Sequence, residues 1–233
     1  MAFGNGPRIV TDGLVMSLDA ADRNSYVSGS TTWFDLSGNN NNGSLINGPI
    51  FNSGSGGSVF FDGADDLIYT PISINTANDF TVEVVAKCNT MDNNGANRQT
   101  IWSFNNGTTN GYQLLDLEVW GDQAYSFNGD GTNFIPGPVN ISLSIQANNI
   151  HFYTVSCISN ILYWYIDSVF KTSYTKTYSG TSVFYKLATR GSGATGTGQQ
   201  WNGLIYSAKI YNKGLSSQEI LQNYNAQKSR FGL

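Results

Sequence analysis

Residues 79–87 read DFTVEVVAK, a segment in which apolar and polar side chains largely alternate. Successive side chains of a β-strand point to opposite faces of its sheet. One face of this segment would carry Phe80, Val82, Val84 and Ala86, and the other would carry Thr81, Glu83, Val85 and Lys87. A period of two is typical of a half-buried strand, so the segment predicts a sheet packed on one side against a core.

The same alternation recurs along the whole chain. It is found in LVMSLD (14–19), NISLSI (140–145), IHFYTVSC (150–157), ILYWYIDSVFK (161–171) and GLIYSAKIY (203–211). Between these segments the dipeptide Asn-Gly occurs repeatedly, and it tolerates the positive φ angles that primed hairpin turns require. The pattern predicts a nearly all-β fold in a single domain.

Only the C-terminal part of the sequence indicates a helix. Ser216-Ser-Gln-Glu219 has the spacing of a capping box, in which the serine hydroxyl and the glutamate carboxylate each accept a hydrogen bond from the other residue's backbone N–H. Ile220, Leu221 and Tyr224 then follow at a spacing that we assign to one helical face. We therefore predict one helix near residues 217–228 that packs on the sheet.

Composition narrows the classes of partner. The chain has 233 residues, a net charge of -4 and only 12% charged residues, against about 25% in an average soluble domain. It has no cluster of Lys or Arg, which argues against nucleic acid as a partner. No stretch has the ~18 apolar residues needed to cross a bilayer, and residues 1–13 lack the pattern of a signal peptide. We expect synthesis in a cytoplasm and no membrane contact.

Two cysteines, Cys88 and Cys157, each end a strand-like segment. In a cytoplasm, free thiols are favoured over disulfides. We expect two buried, unreactive thiols, and a disulfide between them is the alternative.

Two carboxylates are the strongest catalytic candidates. Asp116 and Glu118 stand two residues apart on a predicted strand and would share one face. They resemble the last two positions of the E-x-D-x-(x)-E motif of laminarinase-like glycoside hydrolases, whose first glutamate is the nucleophile. Leu114 stands at that first position. We therefore expect no enzyme activity, no catalytic residue and solvated strand carboxylates.

Other motifs have structural interpretations. GSGATG (191–196) is followed by a strand rather than by the helix that a dinucleotide site needs. His151 lacks nearby cysteines for a zinc site and is expected to be a partly buried strand residue. The loops DGADD (62–66) and NGDGTN (128–133) offer oxygen ligands for weak calcium binding, with ordinary Asx turns as the alternative. We assign no cofactor and no metal ligand.

Seven segments together resemble the laminin-G-like jelly rolls of phage structural proteins. They are GLVMSLDAADRNSY (13–26), TTWFDLSGNNNNGSLINGPIFN (31–52), SVFFDGADDLI (58–68), FTVEVVAK (80–87), HFYTVS (151–156), LYWYIDSVF (162–170) and NGLIYSAKIYNKGLSSQEILQNYNAQKSRFG (202–232). The resemblance implies a concanavalin A-like sandwich of two antiparallel sheets with a short C-terminal helix. We assign residues 1–12 to an N-terminal arm and residues 13–233 to one jelly-roll domain.

The asparagine run fits the same resemblance. DLSGNNNNGSL (35–45) matches the segment W-x-D-L-S-G-N-x-N-x-G-x-L of that family. In such a loop, Asn and Gly supply left-handed conformations while Asp35 and Ser37 bind nearby backbone amides. We interpret the run as turn chemistry, and contact of its amides with a glycan stays open.

Two functional hypotheses follow. The resemblance implies a bacteriophage virion protein, either a capsid decoration or a tail fibre component, that binds other virion proteins and copies of itself. The alternative is a glycan-binding lectin, with or without calcium, in which exposed aromatic residues stack on sugars. Most of the five tryptophans are expected in the core: Trp33, Trp102, Trp120, Trp164 and Trp201. Under the first hypothesis, the arm lies on a neighbouring subunit through Phe3, Ile9 and Val10.

Overall fold

The computed structural model of the chain describes residues 7–90, 98–105, 113–120, 123–128, 139–142, 145–176, 182–190 and 199–233. These residues form two antiparallel sheets of eight strands each and one α-helix, α1 (Ser217–Gln227). The predicted all-β jelly-roll sandwich with a short C-terminal helix is confirmed. Within these ranges, no helix has the length and apolarity that a bilayer span requires.

The sixteen strands have the following bounds. The first eight are β1 (Leu14–Asp19), β2 (Thr32–Trp33), β3 (Gly43–Ile46), β4 (Ile50–Asn52), β5 (Ser58–Asp62), β6 (Leu67–Asn75), β7 (Phe80–Cys88) and β8 (Gln99–Asn105). The other eight are β9 (Gln113–Trp120), β10 (Gln123–Asn128), β11 (Val139–Ser142), β12 (Ile150–Ile158), β13 (Ile161–Ile166), β14 (Val169–Thr175), β15 (Ser182–Leu187) and β16 (Asn202–Tyr211).

The two sheets differ in what covers them. The first sheet has the order β14-β13-β12-β7-β16-β5-β4, and β1 also pairs with β16. The second sheet has the order β11-β10-β9-β8-β15-β6-β3-β2. The main core lies between the sheets, and Phe80, Val82, Val84 and Ala86 of β7 all belong to it, as predicted. The other face of β7 is also buried, at Glu83 and Val85 for example, because the C-terminal segment packs on this face of the first sheet. β7 is therefore not half-buried.

Helix α1 begins with the predicted capping box. The Ser216 side chain accepts from the Glu219 backbone N–H, and the Glu219 carboxylate accepts from the Ser216 backbone N–H at 2.8 Å. The predicted buried face is partly wrong, because Leu221 is 46% exposed. Ile220 is buried as predicted, and Asn223 points inward beside it, since residues three apart on a helix share a face whereas residue 221 is rotated away from 220 by about 100°.

The chain's own helix holds the N-terminal arm. The Val10 backbone N–H donates to Asn223 Oδ1 at 2.8 Å, and the Val10 carbonyl accepts from the Tyr211 hydroxyl at 3.2 Å. The Gln222 side chain donates to the Arg8 carbonyl at 2.8 Å. Val10 is 7% exposed and packs in an apolar cluster with Ile220. The expectation that Val10 contacts a neighbouring subunit is therefore wrong, since its apolar surface is already buried. Phe3 lies outside the described residues.

A buried ionic network lies beneath helix α1. Lys209 Nζ donates to Glu83 Oε1 at 3.2 Å and to Gln227 Oε1 at 2.8 Å. Asn223 Nδ2 donates to Glu83 Oε2 at 3.3 Å and to the Tyr211 hydroxyl at 2.9 Å. Glu83 and Lys209 are both 2% exposed. This network connects β7, β16 and the helix through polar groups that satisfy one another.

The two cysteines are free and buried, as expected. Cys157 pairs in register with Phe80 at one end of β7, whereas Cys88 is at the other end. Eight residues of strand separate these positions by about 26 Å. No disulfide between the two can form in this fold.

Candidate functional site

Asp35 organises the asparagine run. Its Oδ1 accepts from the backbone N–H groups of Ser17 at 2.8 Å and Ser37 at 2.9 Å, and its Oδ2 accepts from the Asn41 backbone N–H at 3.0 Å. Asn40 has a φ of 59° within the run, the left-handed conformation that Asn tolerates well. The interpretation of this segment as turn chemistry is confirmed.

A bulge in β1 fixes two of the asparagine side chains. The pairing of β1 with β16 shifts register between Leu14 and Met16, and the Val15 carbonyl accepts side-chain hydrogen bonds. Asn41 Nδ2 donates to it at 2.7 Å, and Asn39 Nδ2 donates to it at 3.3 Å. Neither Oδ1 atom accepts a hydrogen bond from another described residue. The two amides are thus held by their amino groups while their oxygens keep their acceptor capacity.

These amides form one wall of a groove of about 330 Å³. Its polar lining consists chiefly of six side chains: Asn39, Asn41, Asn75, Asn78, Asp79 and Asn212. Val15, Ile72 and Ile74 supply its apolar surface. We call this site the asparagine groove.

Two further residues of the lining are also fixed by local hydrogen bonds. Asn75 Oδ1 accepts from the Ala77 backbone N–H at 3.0 Å, which forms an Asx turn between β6 and β7. Asp79 Oδ1 accepts from the Ser159 backbone N–H at 2.8 Å. Asn78 and Asn212 make no side-chain hydrogen bond within the described residues. An amide side chain offers two donor hydrogens and an acceptor oxygen, so the groove presents both kinds of group to a ligand rich in hydroxyls.

Asp116 and Glu118 share a face, as predicted, but are not solvated. Leu115, Leu117 and Val119 of β9 point into the core, so the carboxylates lie on the opposite face of the second sheet. Both side chains are fully buried. The expectation of solvated carboxylates is therefore wrong.

Arg190 binds both of these carboxylates. Its Nε lies 3.6 Å from Asp116 Oδ2 and its Nη1 lies 3.5 Å from Glu118 Oε1. Burial raises the pKa of Glu118 to about 7, against the opposing effect of Arg190 and Arg98. Burial lowers the pKa of Lys186, on the neighbouring β15, to about 8. Asp116 and Glu118 are thus buried ionisable groups that share the guanidinium group of Arg190.

His151 is partly buried, as expected, and is paired with a carboxylate. Its Nδ1 lies 2.7 Å from Asp167 Oδ2, and its side chain is 15% exposed. Asp167 Oδ1 also accepts from the Phe152 backbone N–H at 2.9 Å. The residue thus fastens the turn between β13 and β14 to β12.

The loop DGADD brings three carboxylates together. Asp62, Asp65 and Asp66 have ligand oxygens within 4.8 Å of one another. Asp62 Oδ1 accepts from the Ala64 backbone N–H at 2.7 Å, which is the Asx turn of the alternative interpretation. Burial, with a smaller effect from the other two aspartates, raises the pKa of Asp66. Calcium binding here stays a prediction. Residues 129–133 of the second acidic loop and the GSGATG segment lie outside the described residues.

A family model shows where this fold belongs. The Laminin_G_3 model, described as the concanavalin A-like lectin/glucanases superfamily, matches residues 61–221. The chain belongs to this superfamily. No curated protein compared with the chain matches it significantly.

Solved structures with the same fold include a sialidase and the binding domains of two toxins. The superfamily domain matches Trypanosoma rangeli sialidase in complex with sialic acid at 12% identity, with a TM-score of 0.71 over 94% of this chain and 33% of the sialidase. It matches the botulinum neurotoxin serotype D ligand binding domain in complex with N-acetylneuraminic acid at 16% identity, with a TM-score of 0.69 over 94% of this chain and 52% of the other. It matches the binding domain of Paraclostridial Mosquitocidal Protein 1 at 18% identity, with a TM-score of 0.68 over 93% of this chain and 52% of the other. The chain spans between a third and about half of these structures, and identities this low show the fold alone.

Sequence reasoning found only part of the groove of this superfamily domain. It singled out the asparagine run as a place where a glycan contact stayed open, but it missed Asn75, Asn78, Asp79 and Asn212. Asn75, Asn78 and Asp79 belong to the end of β6 and the turn between β6 and β7, whereas Asn212 follows β16. Only the packing of β1, β6 and β16 brings these two segments to the asparagine run. The expectation that most of the five tryptophans lie in the core is confirmed, since Trp33, Trp102, Trp164 and Trp201 are buried. The side chain of Trp120 lies outside the described part of the chain.

Proposed function

We propose that this domain is a non-catalytic glycan-binding module and that the asparagine groove is its binding surface. The observation that carries the proposal is the set of five amides and one carboxylate around an aliphatic floor. The volume of the groove, about 330 Å³, lies within the range of about 300–1,000 Å³ typical of small-molecule sites. Membership of a superfamily described as lectins and glucanases supports the same ligand class.

Preorganisation favours binding at this site. Side chains that must be ordered on association cost about 0.5–1.5 kcal/mol each. Asn39 and Asn41 are already fixed on the Val15 carbonyl, and Asn75 and Asp79 are fixed by backbone N–H groups. The hydroxyl groups of a sugar would therefore meet oriented polar side chains. Val15, Ile72 and Ile74 would contact the apolar C–H surface of the sugar ring.

Replacing Asn78 or Asn212 with alanine is expected to weaken glycan binding about three- to tenfold, which corresponds to one lost hydrogen bond. Neither side chain makes a hydrogen bond within the described residues, so the stability of the fold should not change. A glycan array followed by calorimetric titration of the best ligand measures the effect. Asn24→Ala, an exposed asparagine outside the groove, is the matched control. Equal affinities for all four proteins would contradict the proposal.

We also propose that the module has no hydrolase activity. Leu114 occupies the position of the nucleophile in the glucanase motif, and Asp116 and Glu118 are buried against Arg190. Incubation with β-glucans, agar, carrageenan and alginate is expected to release no reducing ends. Release that disappears in Glu118→Gln would show that the module is an enzyme.

A location on a phage particle is a further proposal, supported by the resemblance of the seven segments to phage structural proteins. On a particle, glycan binding would serve attachment to a host surface, and copies of the chain would adjoin other virion proteins. Mass spectrometry of purified particles, with copy number, tests this location; absence of the chain from them would refute it.

A further inference from the structure

We infer that the asparagine groove takes sugars without a carboxylate and disfavours acidic sugars such as sialic acid, with Asp79 as the residue that sets this preference. The inference rests on the proposed glycan-binding function and adds the class of ligand. It starts from the charges of the groove. Among the described residues that line it, Asp79 is the one ionisable group, and neither lysine nor arginine is present.

The Asp79 carboxylate is both exposed and oriented. The residue directly precedes β7, and its Oδ1 is fixed by the Ser159 backbone N–H at 2.8 Å. Ser159 lies in the tight turn between β12 and β13, where its φ is 50°. Asp79 Oδ2 accepts no hydrogen bond from the described residues. One oxygen is thus committed to the fold, and the other is available to a ligand in the groove.

The nearby cations Lys176 and Lys213 do not line the groove, and both bind other groups. Lys176 is 4% exposed; its ammonium group donates to the Thr76 carbonyl and lies 5.9 Å from the centroid of the Phe80 ring. Lys213, next to Asn212, is paired with Asp12 at 2.6 Å and with Glu219 at 2.8 Å. Two carboxylates around one ammonium group leave that neighbourhood negative as well.

A carboxylated sugar in this groove would meet a like charge, and no cation among the described lining residues would compensate it. Interactions between charges a few ångströms apart at a protein surface are large enough to change affinity roughly tenfold or more. A neutral hydroxyl or an ammonium group of an amino sugar would instead donate to Asp79 Oδ2. The asparagine amides are uncharged, so they do not change the preference for neutral and amino sugars over carboxylated sugars.

The ligands of the structural neighbours therefore do not indicate the ligand of this chain. Two of them are described in complex with sialic acid or N-acetylneuraminic acid, which carries a carboxylate. The shared fold fixes the sandwich, whereas the groove is lined by side chains from the loop after β2, the turn after β6 and the end of β16. The sign of the charge in these segments decides the class of sugar.

The test is a glycan array that contains neutral, amino and sialylated versions of the same oligosaccharides, probed with the full chain and with Asp79→Asn. Wild-type protein is expected to bind neutral or amino glycans at least tenfold more tightly than their sialylated counterparts. Asn can still accept from Ser159, so Asp79→Asn should fold normally and should reduce this ratio severalfold. Asp22→Asn removes an equal charge outside the groove, can still accept from the Asn24 backbone N–H, and should leave the ratio unchanged.

The outcomes separate the two proposals. Preference for sialylated glycans, or an unchanged ratio in Asp79→Asn, overturns the inference on ligand class while glycan binding stands. Absence of binding to every glycan overturns the proposed function and the inference with it.

Discussion

Replacement of Glu83 with alanine is expected to lower the free energy of unfolding by about 3–5 kcal/mol, the usual cost of removing one partner of a buried ion pair. Glu83 accepts from Lys209, Gln227 and Asn223. Without it, the Lys209 ammonium group stays buried with no carboxylate to offset its desolvation. Urea unfolding of the variant and the wild type at one pH measures the difference.

The double variant Glu83→Met/Lys209→Met is the control for this prediction. Buried ion pairs replaced together by apolar side chains are often tolerated, so the double variant should lose less stability than Glu83→Ala. A loss below about 1 kcal/mol in the single variant would show that the network contributes little beyond its packing.

The second large effect concerns pH and Glu118. Burial raises its pKa from 4.5 to about 7 in the folded chain, and its Oε2 is buried without a hydrogen-bond partner among the described residues. The Glu118 carboxylate therefore binds a proton more tightly in the folded state than in the unfolded state. Stability is greatest below the unfolded pKa and falls as pH rises through the folded pKa. One pKa unit corresponds to about 1.4 kcal/mol, so the loss between about pH 4 and pH 8 is ~3 kcal/mol.

Glu118→Gln should remove this dependence. The variant is expected to be more stable than the wild type at pH 8, by up to ~3 kcal/mol, and to show little gain at pH 4. Unfolding titrations in urea across this range measure both curves. Glu219→Gln is the control with the opposite sign, because Lys213 lowers the pKa of Glu219 and its contribution is lost as pH falls. Parallel curves for Glu118→Gln and the wild type would contradict the assignment.

The alternation of apolar and polar residues along a strand correctly predicted which side chains share a face of the sheet. It did not predict what packs against that face. It placed the apolar residues of β7 on the core side and put Asp116 and Glu118 on one face, and both results are confirmed. It could not predict that Glu83 or Glu118 is buried, because burial of the outer face depends on what packs there. For Glu83 that cover is helix α1, more than a hundred residues away in sequence.

Local hydrogen-bonding motifs were predicted because all their parts are adjacent in sequence. The capping box at Ser216 and the contacts of Asp35 with Ser37 and Asn41 are of this kind, whereas the Asp35 contact with Ser17 spans 18 residues. The groove is different, since Asp79 and Asn212 contribute to one surface from positions far apart along the chain. Nothing in either local segment indicates that the other is nearby, so only the sheet pairing of β1 with β16 and the course of β6 could reveal the site.

The contacts that fasten the arm to helix α1 have a mechanical consequence. Tension on residue 7 loads the Val10–Asn223, Val10–Tyr211 and Gln222–Arg8 hydrogen bonds before it reaches the pairing of β1 with β16, because these residues precede β1 along the chain. Tension on residue 233 first loads the contacts of Arg230 with Asp19, Ser55 and Gly57. Each end of the described chain is thus fastened by contacts that lie outside the pairing of the strands.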